Sequence, residues 1–121
     1  MNSLDMLVKA SRIHTAVTER WPMVEWPDVG EMAAKLVSKD NVLGHGARRT
    51  EHCYQDVFIL VMNDDGKTVG VFPVYHIVGR SYDDETDTFH DDYMEAEWGP
   101  DGEGIYDGDE FVESADLIIE I

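Results

Sequence analysis

Asp83-x-Glu85-x-Asp87, followed by Asp91-Asp92, is the densest run of potential ligands and acid–base groups in the sequence, and its density resembles that of a calcium loop. The spacing does not. Counted from Asp83, position six is Thr88 where a glycine must make the sharp turn, and position twelve is Met94 where a bidentate Glu must close the shell. A register from Asp101 places Ile105 and Val112 at ligand positions and fails as well. A divalent-metal-binding protein or metal-dependent enzyme using the 83–92 acids is therefore the weaker reading of this run, and nonspecific attraction of cations the stronger.

The nucleophiles and bases are just as scattered. His45, His52, His76, His90 and Cys53 form no HExxH, no CxxC and no histidine pair at i, i+4, so a zinc site has no support. Glu51-His52-Cys53 contains the residue types of an activated thiol, but chain neighbours do not face one another as a catalytic pair must. Gly44-x-Gly46 lacks the rest of a Walker or dinucleotide-binding pattern. The expectation is a protein that is not an enzyme and carries no cofactor or metal.

What departs from ordinary composition is where the charge lies. Residues 81–121 carry sixteen Asp and Glu and no Lys or Arg, whereas residues 1–80 hold ten acids and nine bases. The net charge of -17 thus divides into -1 and -16. Such a chain is repelled by nucleic acid and by anionic lipid, so direct binding to either, or to a membrane, is not expected. The acidic third is nevertheless unlike a disordered polyanion, because it holds Tyr82, Phe89, Tyr93, Trp98, Tyr106 and Phe111 and closes on Leu117-Ile118-Ile119. It should fold.

The elements that must position these carboxylates follow from periodicity. Met6, Ala10, Ile13 and Val17 mark a helix over residues 3–20, ended by Pro22. A second helix should begin at Pro27 and bury Val29, Met32, Ala33 and Leu36. The two Trp-Pro pairs between them, Trp21-Pro22 and Trp26-Pro27, are expected to anchor the connection to the core. Residues 40–55 read as irregular. Val57 to Met62 is an unbroken apolar run and so a central strand, and Asn63-Asp64-Asp65-Gly66-Lys67 a hairpin turn. The return strand, Thr68 to about Val78, contains Pro73 and should therefore be an edge or bulged there. A strand from Asp92 to Trp98 and a last strand from Asp116 to Ile121 inside the sheet complete the expectation. This is an α+β fold: two N-terminal helices on an antiparallel sheet of about four strands, with the acidic third folded into the same domain. One domain is expected over 1–121, helical over 1–40 and sheet over 55–121, with the acidic face from 81.

The single Cys53, the absence of a basic-apolar leader at the start and the absence of an apolar span point to a cytoplasmic protein. Sixteen charges match about 27 Å of duplex DNA, close to the breadth of a domain with a radius of gyration of about 14 Å. The expected partner is thus a positively charged nucleic-acid-binding protein or nuclease, its cationic groove filled by carboxylates in place of phosphates. Asp83, Asp84, Glu85, Asp87, Asp91, Asp92, Glu95, Glu97, Asp101, Glu103, Asp107, Asp109 and Glu110 are the candidate phosphate substitutes, with Tyr93, Trp98 and Tyr106 as packing anchors among them. In class alone, such a chain resembles the acidic DNA mimics found among phage anti-restriction and anti-CRISPR proteins. An immunity protein or antitoxin that neutralises a cationic nuclease would use the same physics. Arg48-Arg49, the one basic cluster, should offset part of this charge within the molecule.

Overall fold

The computed structural model describes residues 3–49, 54–95 and 109–121. Helix α1 spans Ser3–Arg20 and buries Met6, Ala10, Ile13 and Val17. Helix α2, Val29–Val37, starts two residues later than expected, because Asp28 takes the cap position and its carboxylate accepts the Glu31 N–H at 2.8 Å. Its buried stripe is Met32, Ala33 and Leu36, with Val29 half-buried against the core.

Both helices pack on one face of a four-stranded antiparallel sheet, whose strands are β1 (Val42–Arg49), β2 (Tyr54–Met62), β3 (Thr68–Pro73) and β6 (Leu117–Glu120), in the order β1-β2-β3-β6. Leu60, Met62, Val69, Val71 and Ile119 point to that helical face. Ile59, Val61 and Phe72 point to the other, where Phe111 of the short helix α3 (Asp109–Ser114) closes a second small core, its ring 5.0 Å from Phe72. Two covered faces explain why β2 reads as continuous apolar sequence instead of alternating.

The β2–β3 turn forms as the residues dictate. Asn63 donates to the Thr68 carbonyl, Gly66 has φ 70, and Asp65 accepts the N–H groups of Lys67 and Thr68 at 2.7 and 3.1 Å. These N–H donors, Lys67 first, hold the Asp65 carboxyl below its ordinary value of 3.8.

Several expectations are corrected. Residues 42–49 are a strand, not an irregular segment. Gly44 and Gly46 belong to it because Trp26-Pro27 packs across it: a Cβ on Gly46 would lie 2.5 Å from the Trp26 ring and one on Gly44 2.5 Å from Pro27. Glycines that looked like loop signals are therefore packing positions. β3 is an inner strand and not an edge. Val74 donates to Val57 on the β2 side, so the Pro73 nitrogen faces the other way, beyond the Thr68–Val71 stretch that pairs with β6. The return strand ends at Pro73, and a separate strand, β4 (Tyr75–Asp83), follows. Among the described residues it pairs only with β5 (Thr88–Glu95), forming a two-stranded ribbon separate from the four-stranded sheet, so the strand expected from Asp92 starts earlier and lies elsewhere. β6 borders the sheet instead of lying inside it. Helix α3 had no expectation at all.

The connection between the helices behaves as expected. Trp21, Trp26 and Phe58 form one aromatic group with centroids 4.5 to 5.8 Å apart, half-buried against the main core. Among the described residues no helix is long and apolar enough to cross a membrane.

Candidate functional site

Between residues 75 and 95 the chain carries seven Asp and Glu and a single Arg, and the β4–β5 ribbon brings them together. A ribbon of two strands has two faces, and its cross-strand pairs show which side chains share each. One face bears the pairs Tyr82–Phe89, Arg80–Asp91 and Ile77–Tyr93; the other bears Asp83–Thr88, Ser81–His90, Gly79–Asp92 and His76–Met94. A register shift between Ile77 and Gly79 lets Val78 bulge out.

The tip is the four-residue turn Asp84-Glu85-Thr86-Asp87, with Asp83 just before it. Asp83 Oδ1 accepts the Glu85 N–H at 2.9 Å, and His90 Nε2 lies 3.5 Å from its other oxygen. The Glu85 N–H, with smaller help from His90 and Thr86, holds the Asp83 carboxyl below its usual range. Asp87 has φ 55, a left-handed conformation that Asp tolerates, and accepts a hydrogen bond from the Tyr82 hydroxyl. That bond needs the phenol protonated, so it pushes the Tyr82 pKa up. The local network fixes Asp83 and Asp87 while Asp84 and Glu85 stay exposed.

The pair Tyr82 and Phe89 is the part of the aromatic face that sequence reasoning left out of the site, whereas Tyr93 and Asp91 on the same face were among its candidates. Tyr82 and Phe89 are 49% and 56% exposed, their rings 5.1 Å apart, and the Arg80 guanidinium lies 5.1 Å over Phe89. The available signal was the alternation Arg80, Tyr82 and Phe89, Asp91 about a turn rich in Asp, which marks an amphipathic ribbon.

Asp91 is not a presented charge. Its carboxylate is 8% exposed and lies 3.0 Å from Arg48 Nε of β1, so it joins the ribbon to the body. Arg48 thereby offsets one acid within the molecule, as expected, while Arg49 meets Glu25 at 3.4 Å. Asp92 accepts the Ser81 hydroxyl at 2.7 Å. Tyr93 is half-buried opposite Ile77, and Glu95 ends β5 opposite Tyr75. Asp109 and Glu110 open α3, so they belong to a different element from the candidates on the ribbon. Glu97, Trp98, Asp101, Glu103, Tyr106 and Asp107 lie outside the described residues.

Among the described residues no group of three or more His, Cys, Asp or Glu side chains is arranged to hold a metal ion. Compared with protein-family models, with curated proteins and with solved structures, the chain matches none.

Proposed function

We propose that this chain is a small non-enzymatic inhibitor whose acidic β4–β5 ribbon occupies the cationic groove of a DNA- or RNA-handling protein. The observation that carries this reading is the projection of the tip carboxylates Asp83, Asp84, Glu85 and Asp87 from a two-stranded ribbon next to an exposed aromatic pair.

Charge density refines the kind of nucleic acid that is imitated. Nine residues of β4 extend about 30 Å at ~3.3 Å per residue. Duplex DNA places about 17 charges on that length and one of its strands about 9. With Asp91 set aside as paired to Arg48, six acids against one Arg lie nearer the single strand. The aromatic face supports the same choice, since grooves for single strands combine cationic tracks with platforms on which bases stack. Tyr82 and Phe89 stand where bases would, and the tip carboxylates where phosphates would. Electrostatic steering would speed association with such a groove and make it salt-dependent. Anti-defence proteins of phages, anti-CRISPR and anti-restriction proteins among them, are one setting in which such a mimic is useful.

The test is capture from a lysate of the host on immobilised protein, followed by elution with single-stranded or duplex oligonucleotide. The reading predicts captured nucleic-acid-handling proteins that single-stranded oligonucleotide displaces first. A captured protein that no oligonucleotide displaces contradicts it, and a captured nuclease encoded beside this chain would favour the immunity-protein version.

A further inference from the structure

We infer that a second site, in the cavity where the ribbon leaves the body, binds a small organic cation: a quaternary ammonium on a short apolar arm. The cavity lies beside the strand break between the end of β3 at Pro73 and the start of β4 at Tyr75, and has a volume of about 210 Å³. Its walls include the rings of Trp21, Phe58 and Tyr75, each half-buried and so with part of its surface open to a ligand. A cavity of about 150 Å³ accommodates benzene, so a trimethylammonium group with a short arm has the right size.

The charge of the ligand follows from what the lining holds. The face of an aromatic ring attracts a cation within about 6 Å of its centroid. Trp21 and Phe58 have centroids 4.5 Å apart, so one seated cation can meet both. Arg48, His76 and Asp116 are the titratable side chains besides Tyr75 on the lining. Arg48 is held in its ion pair with Asp91 at 3.0 Å, where a shielded carboxylate offsets its charge. The Asp116 carboxylate has no ion pair or hydrogen bond among the described residues, and only its backbone N–H is used, donating to the Val71 carbonyl at 2.8 Å. It is therefore the uncompensated charge on the lining. With histidines neutral the chain carries -17 at pH 7, so the long-range field draws cations in as well.

Desolvation decides the kind of cation. A primary ammonium brings three N–H donors and must exchange its water for acceptors, of which the lining offers one uncommitted carboxylate. A quaternary ammonium has no N–H to satisfy and sets its methyl groups against the rings. Trp21 already takes a weakly hydrated cation in this way: the Arg20 guanidinium lies 5.5 Å over its ring without lining the cavity.

The experiment is a nitrogen–proton shift titration of the whole chain, at about 0.15 M salt, with choline, its uncharged carbon isostere neohexyl alcohol, the tert-butylacetate anion and ethanolammonium. Choline should saturate, with shifts gathered on Trp21, Phe58 and Ile77, and neohexyl alcohol should bind about tenfold more weakly for want of a charge. The anion should not bind. Ethanolammonium, which has the charge without the apolar body, should not saturate. Asp116→Asn, which keeps the backbone N–H, should bind choline about fivefold more weakly, the worth of one exposed ion pair. Tyr75→Leu, which keeps an apolar wall and removes a ring face, should lose about as much. Neutralising the ribbon tip at Asp83, Asp84, Glu85 and Asp87 should leave choline binding unchanged, so this site and the ribbon reading fail separately. The inference is overturned if choline gives no localised shifts at millimolar concentration, if ethanolammonium or neohexyl alcohol matches it, or if both cavity variants bind as the parent does.

Discussion

Asp91 Oδ2 of the ribbon lies 3.0 Å from Arg48 Nε of β1, with only 8% of the Asp91 side chain exposed, and this contact ties the acidic ribbon to the packed body. Arg48 comes from the segment that sequence alone reads as irregular, so the clamp depends on β1 being a strand.

Removing Arg48 leaves a shielded carboxylate without its partner. Arg48→Ala should cost about 1–3 kcal/mol, and Asp91→Asn less, because the amide remains a hydrogen-bonding group. Amide exchange in β5 should rise in both variants, while β2 and β3 stay protected. If thermal melts and exchange are unchanged in Arg48→Ala, the ribbon is held by its strand connections alone.

Gly46→Ala places a methyl 2.5 Å from the Trp26 ring and should destabilise by about 1–3 kcal/mol, with a shift in tryptophan emission as the Trp21–Trp26–Phe58 group repacks. Phe111→Ala should cost about 3–5 kcal/mol, since the ring is fully buried against Phe72. Urea unfolding measures both, and a neutral result at Phe111 would mean that α3 does not seal the second core.

The turn at Asp65 gives a pH dependence with a definite sign. Its carboxyl pKa is lowered in the fold, chiefly by the Lys67 N–H, so its stabilisation is present above the ordinary value of 3.8 and is lost as pH falls through the depressed value. The difference in melting temperature between the parent and Asp65→Ala should be constant from neutral pH to about pH 5 and close only in stronger acid. A difference that closes at neutral pH contradicts this assignment.

Salt should act in opposite directions on the free protein and on its complex. Screening relieves repulsion among the excess of carboxylates, so added salt should raise the melting temperature of the free chain. The same screening should weaken the ribbon's complex with a cationic partner. A complex indifferent to salt is not held by these charges.

Much of the fold was legible because its signals are local. The α1 stripe, the Pro22 stop, the apolar β2 run and the Asp65-Gly66 turn each carry their cause within a few residues. Strand β1 was not legible, because Gly44 and Gly46 serve a contact with Trp26-Pro27 that sequence distance conceals. The position of β3 was misread because Pro73 rules out only a hydrogen bond on one side, and the topology leaves that side open. For the candidate site, charge segregation pointed to the acids that the β4–β5 turn gathers at the tip. It could not separate Asp91, which is shielded by Arg48, from Asp84 and Glu85, which face water. Nor could it show that Tyr82 and Phe89 share a face with Arg80, which takes the β4–β5 register to see.

The most direct measurement compares capture by the parent and by Asp83→Asn/Asp84→Asn/Glu85→Gln/Asp87→Asn in parallel, with amide exchange verifying that β4 and β5 are still paired. The account predicts that the neutralised tip retains its fold and loses the nucleic-acid-handling partner that single-stranded oligonucleotide displaces from the parent. Equal retention of that partner by both proteins would contradict it.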